Sequence, residues 1–310
     1  MTRRTMLLDS ASLYFRAFYG VPDTVKAPDG TPVNAVRGFL DIIAKLVTDY
    51  RPDVLVACWD DAWRPRWRVE LIPSYKAHRV AHEVPGGVDV EEVPPELVVQ
   101  VPVIREVLTA LGIPIVGAAE AEADDVIGTL ATGAPGPVDV VTGDRDLFQL
   151  VDDEADVRVV YTARGMSNLE VLTDAVVVTK YGIHARQYAD FAVMRGDTSD
   201  GLPGVAGVGE KTATALLTEY GDLAGIEAAA ADPDSAMKPA LRARFAAAVD
   251  YLAVAPRVVE VVRDLPLGAV DARLRVPTAE QRTTLDALAE RWALGGSLDR
   301  ALTALTAAAG

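Results

Sequence analysis

Residues 138–146 read Val-Asp-Val-Val-Thr-Gly-Asp-Arg-Asp, a run of β-branched residues that ends in two acids. Similar apolar runs that lead into an acid occur at Thr5–Asp9 and at Asp53–Trp59, which Asp60 follows. Two further apolar runs, at Ile113–Val116 and Val157–Tyr161, predict additional strands. These strands are too uniformly apolar to have a face in water, and helical patterns separate them. The sequence therefore indicates a parallel sheet that is covered on both sides.

Helical patterns fill most of the remaining chain. In the first half they are predicted at Pro32–Tyr50, 94–111, Glu122–Ala131 and Arg145–Val151. From about residue 173 the pattern becomes helical, interrupted only by a strand-like stretch at Val258–Arg263. We therefore place a domain boundary near residue 175, with an α/β core at residues 1–175 and a helical part at residues 176–310.

A long irregular insertion follows the second predicted strand. Residues 62–82 contain five bases against one acid, with aromatic residues between them, whereas residues 83–96 contain five acids and no base. A connection of this length is usually functional or mobile. The aromatic residues of the basic half, among them Tyr75, either stack on unpaired nucleobases or pack locally.

The composition excludes several classes of protein. Half of the 310 residues are hydrophobic, which argues against disorder and against a small disulfide-stapled fold. A single cysteine, Cys58, excludes disulfides and a cysteine zinc site. No apolar stretch approaches 18 residues, so we expect a soluble cytoplasmic protein without a membrane partner. The net charge of −15 argues against nonspecific nucleic-acid binding, unless its distribution reverses that conclusion.

The acids are concentrated at the ends of predicted strands and in one later loop. They are Asp9, Asp60, Asp61, Glu122, Asp124, Asp125, Asp144, Asp146, Asp197 and Asp200. Ligands of open parallel sheets bind at the carboxyl ends of the strands, so these side chains should converge there. Oxygen ligands without histidine or cysteine suit Mg²⁺ or Mn²⁺. Each acid alone is equally compatible with a helix cap or a turn, but the recurrence at successive strand ends favours a metal site.

Residues 202–212 read Leu-Pro-Gly-Val-Ala-Gly-Val-Gly-Glu-Lys-Thr and invite comparison with phosphate-binding loops. A Walker loop needs glycine directly before Lys-Thr, where this chain has Glu210. A dinucleotide-binding loop needs a preceding strand, whereas this turn lies between helices. A helix-hairpin-helix remains, in which backbone N–H groups hold a DNA phosphate without reading sequence. The alternative is an ordinary turn between two helices.

Taken together, these motifs resemble those of bacterial 5′-3′ exonucleases of the flap endonuclease superfamily, which includes the N-terminal nuclease domain of DNA polymerase I. The matching segments span about residues 5–220, and Gly-Asp-Thr-Ser-Asp-Gly-Leu-Pro-Gly at residues 196–204 is the most specific. The resemblance implies a PIN-like three-layer α/β/α core with a mainly parallel sheet and a helical arch at about residues 62–96. It also implies an all-α DNA-binding part with the helix-hairpin-helix at about residues 196–220. We expect the free-standing form, without a polymerase.

The resemblance assigns roles to individual residues. The implied metal-binding acids are Asp9, Asp60, Glu122, Asp124, Asp125, Asp144, Asp146, Asp197 and Asp200. The residues implied to hold the scissile phosphate or the 5′ strand are Arg16, Arg68, Tyr75, Lys76 and Arg79. The expected DNA-binding residues of the hairpin are Gly204, Gly207, Val208, Gly209, Lys211 and Thr212. Asp61 competes with Asp60 because of a one-residue difference in spacing, and strand position favours Asp60. The acidic residues 83–96 are not expected to contact the strand, and the basic half should be locally positive.

The implied function is metal-dependent, structure-specific 5′ nuclease activity on DNA in replication and repair, such as primer and flap removal. The implied cofactors are two or more Mg²⁺ or Mn²⁺ ions, with a K⁺ ion at the helix-hairpin-helix. We expect a monomer that binds 5′-flap, nicked or branched duplex DNA, with DNA polymerase I as a functional partner. Two alternatives remain: a PIN-type ribonuclease, which would need neither arch nor hairpin, and a non-catalytic binder of branched DNA, which would have lost acids.

Overall fold

The structure, a computed structural model, describes residues 3–310. The strands are β1 (Thr5–Asp9), β2 (Val54–Cys58), β3 (Val80–His82), β4 (Val90–Glu91), β5 (Ile115–Val116), β6 (Val138–Thr142), β7 (Val157–Tyr161) and β8 (Glu170–Leu172). The helices are α1 (Ser10–Gly20), α2 (Asn34–Tyr50), α3 (Arg66–Leu71), α4 (Pro95–Val98), α5 (Val101–Ala110), α6 (Ala123–Thr132), α7 (Asp174–Tyr181), α8 (Tyr188–Arg195), α9 (Glu210–Tyr220), α10 (Leu223–Ala231), α11 (Pro239–Ala247), α12 (Val249–Leu252), α13 (Ala255–Val259), α14 (Ala279–Trp292) and α15 (Gly295–Ala309).

The central sheet has the strand order β5-β2-β1-β6-β7-β8. Every neighbouring pair is parallel except β7 and β8, which are antiparallel. Successive residues of β1 are buried on opposite faces: Leu7 belongs to a buried cluster with residues of α6 and α8, and Leu8 to a second cluster with residues of α1, α2 and α5. The predicted three-layer α/β/α core with a mainly parallel sheet is therefore confirmed.

Two local predictions differ from the structure. Residues Asp146–Leu150 form a 3₁₀ turn rather than an α-helix. The stretch Val258–Arg263 is not a strand, because α13 ends at Val259 and no strand edge lies beside the following residues. Instead, the Val261 N–H donates to Gln149 and the Val262 N–H donates to Asp125, so side chains replace the backbone partners of a sheet.

The insertion at residues 62–96 is helical only at α3, at one 3₁₀ turn and at the start of α4. The antiparallel hairpin of β3 and β4 lies between them, so the helical arch is not continuous. Proline interrupts helices, and Pro73 and Pro85 stand in this segment together with Gly86-Gly87. Asp89 fixes the hairpin, since it forms an ion pair with Arg64.

The last two helices pack on the α/β core. Leu298 and Leu305 of α15 are buried in the same cluster as α2, and Arg300 forms an ion pair of 2.7 Å with Asp41 of α2. Residues 279–309, which the expected division assigns to the helical part, thus complete one face of the sheet. The boundary near residue 175 stays a prediction. Within the described chain, no helix combines the length and apolarity that crossing a membrane would take.

We expect Leu298→Ala to lower the free energy of unfolding by about 2–5 kcal/mol, because a leucine that is 2% exposed would leave a cavity between α15 and α2. The neighbouring Asp299 is exposed, so Asp299→Ala should change stability by less than about 0.5 kcal/mol. Urea unfolding followed by circular dichroism measures both. Equal effects of the two variants would contradict the packing of α15 described above.

Candidate active site

A cavity of about 550 Å³ opens at the carboxyl ends of β1, β2 and β6. Each acid on its wall follows a strand, begins a helix or belongs to the β3–β4 hairpin. These acids are Asp9, Asp60, Glu91, Glu122, Asp124 and Asp144. The structure thus brings together five of the nine acids expected to bind metal, and it adds Glu91.

The strand ends hold these carboxylates through short hydrogen bonds. Asp9 accepts from the hydroxyl of Thr142 at 2.6 Å and from the N–H of Ser12 at 3.2 Å. Asp60 accepts from the N–H of Ala123 at 2.9 Å, at the start of α6. Neighbouring helix starts therefore orient both carboxylates toward the cavity.

The structure also distinguishes Asp60 from Asp61. Asp60 lines the cavity, whereas the carboxylate of Asp61 lies over the backbone of Gly117, where a Cβ would stand 2.5 Å from it. Glycine at position 117 is what allows this close approach. The position of Asp60 agrees with the preference for it from strand position.

Crowding of the carboxylates changes their acidity. Burial and the neighbouring Asp60 raise the pKa of Asp9 to about 7. Burial, followed by Asp9 and Asp144, raises the pKa of Asp124 well above its usual range. Burial also raises the pKa of Glu122 to about 6, although Lys76 and Arg68 act in the opposite direction. Carboxylates in such surroundings are stabilised by cations.

Asp146, Asp197 and Asp200 stand beside this cavity rather than on its wall. Burial raises the pKa of Asp146, and the charges of Asp144, Asp200 and Asp197 add to that effect. Asp197 is held by Arg195 at 3.0 Å. These three acids therefore extend the negative region beyond Asp144.

The five bases of the insertion are all paired with acids. The pairs are Arg64–Asp89, Arg66–Glu120, Arg68–Asp125, Lys76–Glu122 and Arg79–Asp200. The expectation of a locally positive basic half is therefore wrong, because partners distant in sequence neutralise it. Only Lys76 and Arg79 among these five lie on the wall of the carboxylate cavity.

Three expected site residues are buried and do not reach the cavity surface. Arg68 is 2% exposed, and its two terminal nitrogens donate to Asp125 at 2.7 and 2.8 Å. The Asp125 carboxylate also accepts from the N–H groups of Glu122 and Val262. Tyr75 is 3% exposed and donates its hydroxyl to Glu122 at 2.9 Å. Arg68 and Tyr75 therefore do not hold a phosphate or a base here, and Asp125 has no oxygen directed at a metal; all three position Glu122.

Arg16 lies at a neighbouring cavity of about 850 Å³, between α1 and α2. Ser12 and Phe15 line both cavities, so Arg16 stands next to the carboxylates but not among them.

The predicted hairpin precedes α9. Gly204 and Gly207 have φ angles of 67° and 73°, which favour glycine, and Gly209 precedes the first residue of α9. Gly207, Gly209 and Lys211 are exposed and Thr212 is half-buried, but the Val208 side chain is 3% exposed. Only the backbone of Val208 is thus available to a ligand.

Two polar residues beside the acids were missed from the sequence. Thr142 bonds Asp9 and also accepts from the N–H of Asp144 at 2.8 Å. The hydroxyl of Ser12 accepts from the N–H of Gly143 at 2.9 Å, and a Cβ at Gly143 would stand 2.7 Å from it. The Thr-Gly-Asp sequence at the end of β6 was the available signal, because only glycine leaves this space.

The donors on the cavity wall suit a hard divalent cation. They are carboxylate oxygens, and neither histidine nor cysteine lines this cavity. Among residues 3–310, no three acids already form a closely spaced metal-binding cluster. Mg²⁺ keeps several waters and binds one or two carboxylates, so an open arrangement fits it better than a closed cage.

Two family models match the chain. A model described as the 5′-3′ exonuclease N-terminal resolvase-like domain matches residues 4–182, and one described as the 5′-3′ exonuclease C-terminal SAM fold matches residues 183–282.

Curated relatives agree with these models, and a solved structure shares the fold. A 5′-3′ exonuclease of Streptomyces coelicolor is 61% identical over 97% of this chain and its own full length. DNA polymerase I of Mycobacterium tuberculosis is 42% identical over 87% of this chain, which corresponds to 28% of the polymerase. A bacteriophage T5 flap endonuclease, solved with DNA and metal ions, has a TM-score of 0.63 at 18% identity over 99% of both chains. At this identity the similarity concerns the fold alone.

We expect Arg68→Met to lower the free energy of unfolding by about 3–5 kcal/mol, because it leaves the buried Asp125 carboxylate without its partner. The control is Arg66→Met on the same helix, whose pair with Glu120 is exposed and should contribute less than about 1 kcal/mol. Chemical denaturation of both variants checks this. A stable Arg68→Met protein that binds DNA poorly would instead return Arg68 to a phosphate-binding role.

Proposed function

The chain belongs to the 5′-3′ exonuclease family, and on that premise we propose that it is a metal-dependent, structure-specific 5′ nuclease that hydrolyses phosphodiester bonds of DNA. Its substrates are 5′-flap, nicked or branched duplexes, as they arise in replication and repair. The observation that carries the proposal is the group of carboxylates at the strand ends, in a chain that also has a glycine-rich turn directly before α9.

Asp9, Asp60, Glu122, Asp124 and Asp144 hold two or more Mg²⁺ or Mn²⁺ ions in this proposal, with Asp146, Asp197 and Asp200 beside them. Ions at such a site lower the pKa of a water nucleophile and stabilise the leaving 3′ oxygen. The raised pKa of Asp9 and the oxygen-only donor set support cation binding here. Thr142 keeps the Asp9 carboxylate in place through its 2.6 Å hydrogen bond.

Lys76 and Arg79 supply positive charge at the reacting phosphate. Lys76 lies 3.0 Å from Glu122, and Arg79 lies 3.4 Å from Asp200. Both side chains face the cavity, so a substrate phosphate competes with these acids for them. Once the acids bind metal, the two bases are free to stabilise charge on the phosphoryl oxygens.

The hairpin holds the duplex through its backbone. The first N–H groups of a helix lack partners within that helix, and α9 begins directly after Gly209. Gly209 leaves open space for a phosphate, and the backbone of Val208 with Lys211 and Thr212 completes the contact. Gly204 and Gly207 shape the turn, because a Cβ there would meet the backbone of Arg195 and Gly196 or the guanidinium of Arg244. A K⁺ ion at the carbonyl groups of this turn is part of the proposal. Contacts of this kind bind DNA without regard to sequence.

The remaining parts of the proposal concern the setting of the protein. It acts as a cytoplasmic monomer on chromosomal DNA and shares substrates with DNA polymerase I. The identity to the nuclease region of that polymerase supports a shared substrate class.

We expect Asp60→Asn to reduce cleavage of a 5′-labelled flap duplex in Mg²⁺ by about a hundredfold or more, because it removes a charge that holds the metal. Asp61→Asn is the matched control, since the Asp61 carboxylate lies against Gly117, and its activity should stay within about twofold of wild type. EDTA should abolish cleavage by the wild type and by Asp61→Asn.

Retained cleavage in Asp60→Asn would contradict the assignment of this site. Binding of the flap without cleavage in any metal would identify a non-catalytic binder of branched DNA. Cleavage of single-stranded RNA alone would identify a PIN-type ribonuclease.

We expect Lys211→Gln to weaken binding of nicked duplex and to reduce the slope of log affinity against log salt by about 1, the value for one lost phosphate contact. The control is Lys45→Gln on α2, where Lys45 is paired with Asp49 at 2.7 Å away from the hairpin. Fluorescence anisotropy at several KCl concentrations measures both. An unchanged slope for Lys211→Gln would place the duplex elsewhere.

A further inference from the structure

The β3–β4 hairpin carries an acid onto the wall of the catalytic cavity. Glu91 shares that wall with Asp60, Lys76 and Arg79. The two bases there already serve other acids, since Lys76 pairs with Glu122 and Arg79 with Asp200. Because Lys76 and Arg79 each have an acid partner already, they offset the negative charge of Glu91 only in part.

The hairpin holds Glu91 in this position. Asp89 forms an ion pair with Arg64, whose side chain is 6% exposed. The backbone carbonyl of Asp89 accepts from the indole N–H of Trp63 at 2.6 Å. On the other side, the N–H of Glu92 donates to the carbonyl of Arg79 at 2.8 Å. With Asp89 anchored two residues before it and Glu92 directly after it, the backbone of Glu91 is held beside the cavity.

Glu91 also differs from the other acids of the cavity in its surroundings. Asp9 ends β1, and Asp60 and Asp144 follow β2 and β6, where the cations of the proposed function would offset their charges. Glu91 enters from the insertion, beside Lys76 and Arg79, which bind the reacting phosphate in the proposed function. The first nucleotides of a flap would bring further phosphates within reach of this carboxylate, and like charges repel more strongly in a confined cavity than in water.

Resting on the proposed nuclease function, we propose that Glu91 is a specificity-determining residue that disfavours long 5′ flaps. It leaves substrates whose 5′ end places a single nucleotide in the cavity largely unaffected. The repulsion acts on binding of the unpaired strand and not on the chemical step. The chain thereby favours short 5′ ends at nicks over extended flaps.

The test compares Glu91→Gln with Glu92→Gln in the full-length protein. Glu92 is the next residue and is exposed outside the cavity, so its variant controls for a change in overall charge. The substrates are a nicked duplex and the same duplex with a ten-nucleotide 5′ flap. Cleavage gives kcat and KM in Mg²⁺, and anisotropy in an Asp60→Asn background gives affinity at low and high KCl.

We expect Glu91→Gln to tighten binding of the flap substrate and to lower the KM for it by about fivefold. The kcat for the flap, and the kcat, KM and affinity for the nicked substrate, should change by less than about twofold. The gain should shrink at high salt, because screening shortens the range of the repulsion to about the Debye length of 8–10 Å. Glu92→Gln should leave the ratio of flap to nick affinity unchanged.

Three results would overturn the proposal. Glu91→Gln could leave the affinity for the flap substrate unchanged, or it could raise the affinity for both substrates equally. Glu92→Gln could also change the ratio of flap to nick affinity as much as Glu91→Gln does. Loss of cleavage together with weaker Mg²⁺ binding would also overturn it, since Glu91 would then be a metal ligand. If wild type cleaves neither substrate in Mg²⁺ or Mn²⁺, the nuclease proposal fails. The anisotropy comparison still tests Glu91 in that case.

Discussion

The buried pair of Arg68 and Asp125 is the interaction on which the site depends. Arg68 comes from the insertion and Asp125 from α6, and the same two side chains bond the carbonyl of Val258 and the N–H of Val262. Three distant parts of the chain therefore meet at one pair of opposite charges. Removing two charges from water is costly, so the pair requires all of its hydrogen bonds. That requirement fixes the start of α6, and with it Glu122 and Asp124.

The strands and their acids could be predicted from the sequence because both signals are local. An apolar run such as Thr5–Asp9 identifies a buried strand, and chain order places the acids at one edge of a parallel sheet. The pairing of bases could not be predicted, because Arg68 finds its partner 57 residues away. The burial of Tyr75 could not be predicted either, because its hydroxyl bonds Glu122, 47 residues away. The acidic stretch at residues 83–96 was expected to avoid the substrate, yet hairpin geometry turns Glu91 inward.

The ion pairs of the insertion change what the net charge of −15 implies for DNA binding. The bases of the insertion form ion pairs with acids, so most of the positive charge that the sequence shows there is neutralised within the protein. In the proposed function, a polyanion meets a carboxylate cavity that binds cations and a hairpin that offers uncharged backbone donors. That function would couple substrate binding to metal binding more tightly than a basic surface would.

The packing of α15 on α2 has a consequence for synthesis of the chain. The apolar face of α2 is complete at residue 50, but the helix that covers it ends at Ala309. While the ribosome makes the intervening residues, that face has no permanent cover. Exposed apolar surface makes unfinished chains prone to aggregation, and contacts this distant in sequence form slowly. The α/β core therefore reaches its final packing only after α15 has been synthesised, and a chain interrupted before α15 leaves this face of α2 exposed.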